Sequence, residues 1–154
     1  MRKGALLCLA LFGLVLPAHA LDRARVPAVP SAAVTDPLQP IYRVSGVRDS
    51  GSAINTGAAT SFHCTNRSNV PEKIRVLIYN FDASLKANVS VTILSDRTWT
   101  GSTHGTVMFN EDAFLSPGML IEQGHAIIQA SNRNIFCSAM IGDAASAVPN
   151  GVTL

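Results

Sequence analysis

Two cysteines constrain the fold of this 154-residue chain more than any other feature. Cys64 and Cys137 are separated by 73 residues. The third cysteine, Cys8, lies in an apolar N-terminal run that we expect to be removed. Two cysteines in an exported protein are more often paired than free. We therefore predict a Cys64–Cys137 disulfide that fastens two distant parts of the mature chain.

The N-terminus has the three parts of a secretory signal peptide. Arg2 and Lys3 give it a positive start, residues 5–16 are apolar, and Ala18 and Ala20 place small residues before a cleavage site. The apolar run is too short to span a bilayer, so we expect no membrane insertion after cleavage. Residues 1–20 are therefore predicted to be a signal peptide, and the mature chain is predicted to be exported to the periplasm or the extracellular space.

The next segment, residues 21–40, has the composition of a tail or linker. It contains four prolines among alanine, valine and serine, and this composition favours an extended chain over a helix or a sheet. The mature chain is long enough for one domain. We place that domain at residues 41–154.

Short alternating stretches within the domain indicate β-strands. In residues 85–93 the apolar side chains occupy every odd position, and in residues 74–78 they also share one face. Alternation places Cys64 and Cys137 on the core faces of their own strands. Residues 48–52 are interpreted as a turn and residues 98–106 as an irregular edge strand with loops, because they are rich in polar residues and glycine.

These patterns predict an all-β domain, an antiparallel β-sandwich with one inter-strand disulfide. The cysteine separation resembles that of immunoglobulin-like domains, in which a bridge joins two sheets across the core, and this resemblance implies an immunoglobulin-like architecture. The sequence departs from the immunoglobulin pattern in two places. Trp99 lies too far beyond Cys64, and Ile135 stands where a tyrosine is expected.

Two short segments carry a second resemblance. Phe62-His-Cys-Thr-Asn66 and Ile135-Phe-Cys-Ser-Ala139 resemble segments at similar separation in a group of small, exported, uncharacterised bacterial proteins. The resemblance covers most of residues 42–154. It implies export and carries no activity with it.

The charge balance excludes two classes of partner. Removal of Arg2 and Lys3 with the signal peptide leaves ten basic and ten acidic residues in the mature chain. Nucleic acids and anionic membranes attract proteins with a basic excess. We therefore expect neither as a partner.

Three histidines of the mature chain provide the alternative functional hypothesis. His63, His104 and His125 could bind zinc or copper if the fold brought them together, although their spacing matches no metal motif. This alternative is a periplasmic protein that binds a metal or small ligand. No catalytic motif is present, so we predict no enzymatic activity and no cofactor.

The polar segment after residue 97 contains the remaining candidate site. An exposed Trp99 could act as a platform for a sugar or an aromatic group, with Thr100 and His104 beside it. The competing interpretation is that Trp99 closes the end of the sandwich. The function predicted from the sequence is a non-enzymatic interaction module that uses a sheet edge or this segment to bind an unknown protein or glycan.

Overall fold

The computed structural model describes residues 38–51, 53–116, 118–148 and 150–154. The predicted signal peptide and residues 21–37 of the predicted tail lie outside the described residues. All the regular structure of the described part is β-strand. Within it there is no helix that is long and apolar enough to span a membrane.

Nine strands run through the described part of the chain. They are β1 (Gln39–Ser50), β2 (Ala58–Asn66), β3 (Glu72–Tyr79), β4 (Leu85–Ile93), β5 (Thr98–Ser102), β6 (Ala113–Phe114), β7 (Leu120–Ala130), β8 (Ile135–Asp143) and β9 (Val152–Thr153).

The strands form two sheets. Sheet A has the order β1-β7-β3-β4, and sheet B has the order β6-β5-β2-β8-β9. The pairs are antiparallel except for the short parallel contact between β5 and β6. The predicted all-β antiparallel sandwich is confirmed.

The core lies between the two sheets because alternate side chains of each strand face inward. In β3, Ile74, Val76 and Ile78 are all fully buried, as their alternation predicts. Phe62 and Cys64 of β2 face them from sheet B, also fully buried. Burial of these apolar side chains, at roughly 25 cal/mol per Å² of apolar surface, is the main stabilising contribution.

Hydrogen bonds close the sandwich along the β1 side. The Arg48 backbone N–H donates to the Thr60 hydroxyl oxygen at 2.9 Å, and that hydroxyl donates to the Arg48 carbonyl at 2.8 Å. Thr60 belongs to sheet B and Arg48 to sheet A, so this reciprocal pair joins the sheets. The Tyr42 hydroxyl adds a longer bond to the Ile135 carbonyl at 3.3 Å.

β1 is longer than the sequence pattern predicts. It begins at Gln39, ahead of the domain boundary placed at Ile41, and the preceding Leu38 is buried. It continues through Asp49, which is fully buried, so the turn predicted over residues 48–52 begins later. The Asp49 carboxylate accepts the Gly51 N–H at 2.7 Å. Asp49, a residue type that is typical of turns, therefore lies in the last part of a strand.

β5 corrects a second prediction. The segment predicted to be an irregular edge lies inside sheet B, between β2 and β6. The buried polar side chains in and directly after this strand, Ser102 and Thr103, each have a hydrogen-bond partner. Ser102 lies 2.7 Å from Ser61, hydroxyl to hydroxyl, and the Thr60 N–H donates to the Thr103 hydroxyl oxygen at 3.1 Å. Because these hydroxyl groups are hydrogen-bonded, a strand without alternating apolar side chains can be buried within the sheet.

Candidate interaction surface

The disulfide joins Cys64 of β2 to Cys137 of β8, as predicted. These residues are directly opposite each other in the register, with their Cα atoms 4.1 Å apart. The bridge therefore connects neighbouring strands of one sheet. The immunoglobulin comparison implied a bridge between two sheets, and in this respect it is wrong.

Trp99 offers no exposed platform. It stands opposite Cys64 in the β2–β5 register, and only 5% of its surface is exposed. Its indole lies over Gly101 of the same strand, where a Cβ atom would collide with the ring. The structure therefore places the ring in the core beside the disulfide and not at an exposed stacking site.

Thr100 and His63 form a separate contact on the outer face of sheet B. The His63 Nδ1 atom lies 3.1 Å from the Thr100 hydroxyl, and the ring packs edge-on against Phe109 with 4.5 Å between centroids. Burial lowers the pKa of His63, and the negative charge of Glu111 opposes that shift. The ring is therefore held against a loop that covers part of this face.

His104 is the most enclosed of the three histidines. Its Nδ1 atom lies 3.0 Å from an oxygen of the Asp49 carboxylate, and its Nε2 atom lies 3.0 Å from the Thr56 carbonyl oxygen. Both side chains of the His104–Asp49 pair are almost completely buried. A carbonyl oxygen can only accept, so Nε2 donates its proton to Thr56. Both ring nitrogens are therefore occupied by hydrogen bonds within the protein, and the His104–Asp49 pair serves to hold the fold together.

His125 lies on the other sheet. It is exposed on the outer face of β7 and stacks on Tyr79 of β3, with 5.1 Å between ring centroids. His63 is on the outer face of sheet B, and His104 is enclosed near the end of β5. The predicted three-histidine metal site is therefore not formed. No group of three histidine, cysteine, aspartate or glutamate side chains suited to a metal occurs among the described residues.

The strongest candidate for binding is β4, the outer strand of sheet A. Within the described chain, β4 pairs only with β3, so its second edge has no strand beside it. It is nine residues long, contains neither proline nor glycine, and has one charged residue, Lys86. A long edge without such interruptions presents backbone N–H and C=O groups in the spacing that another strand requires.

The other three edges are protected. β6 and β9 have only two residues each. β1 has Pro40 as its second residue and includes Gly46 at a φ of 79°, and its pairing with β7 shifts register at three points. Proline, irregular register and short length are the features by which edge strands avoid pairing with other chains. β4 has none of them along its central residues.

A groove of about 500 Å³ borders the β4 edge. It lies between β4 of sheet A and the β5–β6 side of sheet B, where the sandwich is open. Val89 and Val91 line it from β4, both half-buried, and Ala113 lines it from β6. The small part of Trp99 that remains accessible also lines this groove. Apolar side chains are therefore presented beside an unpaired strand edge.

Polar groups form the rim of this β4 groove. Arg97 and Asp112 are exposed and line it with opposite charges, and Ser90 and Thr92 contribute hydroxyl groups from β4. Asp112 also accepts the Thr100 N–H at 2.8 Å, which fixes the loop that forms one wall. The groove is therefore apolar at its base and mixed in charge at its rim.

The sequence predicted the strand but not the groove. The alternation of β4 was evident, and its shortage of charge was visible in the same residues. Its position at an edge depends on β3 pairing with β7, far along the chain. No local pattern specifies that pairing.

Comparisons of the chain with protein-family models, curated proteins and solved structures find no match. The fold and the groove together define a disulfide-bonded antiparallel β-sandwich in which the described residues leave the β4 edge open and unprotected.

Proposed function

We propose that this chain is an exported, non-enzymatic interaction module that binds an extended protein segment by adding it as a strand beside β4. The observation that carries the proposal is the combination of an unpaired nine-residue edge and an apolar groove beside it. The Cys64–Cys137 disulfide is compatible with the oxidising compartment that export implies.

Strand addition uses both features of this surface. The backbone of a guest strand would bond to the β4 edge, and those bonds supply affinity without regard to sequence. Alternate guest side chains would point into the groove toward Val89, Val91 and the edge of Trp99. A guest with apolar residues at every second position and polar residues between them matches this arrangement.

An extended peptide fits this surface better than a glycan does. Sugars bind protein through an exposed aromatic face and a set of polar groups around it, and the indole of Trp99 is enclosed. A strand edge supplies repeated backbone donors and acceptors instead. The mixed charges of Arg97 and Asp112 favour a guest without a strong net charge.

Tryptophan fluorescence gives a direct binding test, because Trp99 is the only tryptophan and borders the groove. The probe is a synthetic peptide of alternating valine and threonine, added to dilute mature protein. We expect a saturable change in emission. The same peptide with N-methylated backbone amides should produce none, because it cannot pair with a strand edge.

A lysine placed in the groove should abolish this binding. Val91→Lys introduces a charge that a guest strand would have to bury, whereas the matched control Val152→Lys changes the same residue type on the short edge strand β9. Circular dichroism checks that both variants remain folded. Equal binding by both variants, or no saturable emission change with the unmodified peptide, would overturn the proposal.

A further inference from the structure

We infer that the strand that binds the β4 edge is β4 of a second copy of this chain, so that two molecules form a symmetric dimer. This inference rests on the proposed function, because it uses the same edge and groove. It goes further by naming the partner and the register of the pairing.

The residue pattern of β4 is symmetric about its centre. In an antiparallel pair centred on Val89, that residue lies opposite its own copy, and Asn88 lies opposite Ser90. Ala87 then lies opposite Val91, and the end residues of β4, leucine and isoleucine, lie opposite each other. Directly opposed residues in an antiparallel pair point to the same face. All nine positions therefore match apolar with apolar or polar with polar.

Charge also permits this pairing. Lys86 is the only charged residue of β4, and in this register it lies opposite Thr92 of the other copy. No like charges are opposed within the paired strands, an arrangement that would destabilise them. The mature chain has ten basic and ten acidic residues, so no net charge repels two copies from each other.

The dimer has the geometry of an isologous interface. A twofold axis perpendicular to sheet A at Val89 joins the two four-stranded sheets into one continuous sheet. The axis keeps the apolar faces of both copies on the same side. The two β4 grooves then meet, and each partly exposed Val91 is covered by the partner's strand.

Cysteine cross-linking tests the register. Only the central residue faces itself, so Val89→Cys should give a covalent dimer under mild oxidation, while Lys86→Cys and Thr92→Cys should each remain monomeric when oxidised alone. A mixture of the latter two variants should cross-link, because residues 86 and 92 are opposed across the axis. Both positions lie on the outer face of sheet A, so the mixture leaves Val89 and Val91, which line the groove from the inner face of β4, unchanged.

Sedimentation velocity supplies the second measurement. We expect the mass of mature protein to rise to that of two copies with concentration, and Val91→Lys to remain monomeric throughout. Monomeric wild-type protein without cross-linking would overturn the dimer. In that case peptide binding at the groove would still support the proposed function, whereas absence of peptide binding as well would overturn both.

Discussion

Individual buried polar residues fix the loops of this domain through hydrogen bonds. The His104–Asp49 pair joins the segment after β5 to the end of β1, and Nε2 of the imidazole binds the carbonyl of Thr56 in the next loop. No described buried side-chain nitrogen or oxygen lacks a hydrogen-bond partner. The segment after β5 is thus fixed at one buried point to the end of β1 and to the loop that follows it.

Removal of the imidazole should destabilise the fold strongly. His104→Ala leaves the buried Asp49 carboxylate with the Gly51 N–H but without the imidazole, and breaking one side of a buried pair costs about 3–5 kcal/mol. The free energy of unfolding, measured by urea denaturation, should fall by that amount.

An exposed pair with the same contact distance provides the control. Arg67 and Asp96 also lie 3.0 Å apart, but their side chains are 62% and 67% exposed. Exposed pairs contribute about 0–1 kcal/mol, so Arg67→Ala should change stability little. Equal losses in His104→Ala and Arg67→Ala would contradict the structural role of the buried pair.

His63 should make the stability of the domain depend on pH. Burial lowers its pKa in the folded state below the ordinary value of about 6.5. The unfolded chain therefore binds the proton more readily in the range just below pH 6.5. The contribution of the neutral ring to stability is complete above that range and is lost as pH falls toward the folded-state pKa.

The measurement compares unfolding free energies of the wild type and His63→Gln across this pH range. Carboxylates titrate in both proteins, so the difference between the two curves reports His63. We expect the wild type to lose more stability than the variant as pH falls. Glu111→Gln should make the loss larger, because the Glu111 charge raises the pKa of His63. Parallel curves for wild type and His63→Gln would refute this assignment.

At the level of elements, apolar alternation predicted the strands that face the core on one side. β3, β4 and the two cysteine strands, β2 and β8, occur where the pattern placed them. Alternation works there because the inward positions are mostly apolar, although some outward positions, such as Leu77 and Phe136, are apolar too.

Alternation failed where polar residues are buried. β5 and the end of β1 were interpreted as irregular or turn segments, yet Ser102, Thr103 and Asp49 are all buried. Each is satisfied by a partner far along the chain, among them Ser61 and His104. A single sequence shows which side chains are polar but does not show which of them will meet.

At the level of the whole molecule, sheet order decides where the candidate site lies. The sequence identified most strands but not the groove. The groove exists because β4 is the outer strand of sheet A, and because β6, the outer strand of sheet B on that side, is only two residues long. Strand order is set by the packing of all strands together. The same order explains why His63 and His125 are on different sheets, and why the predicted metal site does not form.

The disulfide joins β2 to β8, which lie far apart in the sequence, and its removal tests how much of the stability of the fold depends on this bond. It closes a loop of 73 residues, which on the chain-entropy model stabilises the domain by about 4 kcal/mol. The double variant Cys64→Ala/Cys137→Ala should lose that amount in urea denaturation. Chemically reduced wild-type protein should lose nearly as much, because both lack the constraint on the unfolded chain. Thiol titration of unfolded, unreduced protein that lacks residues 1–20, and with them Cys8, should find no free thiol. Equal stability of oxidised and reduced protein would show that β2–β8 pairing alone holds the two strands together.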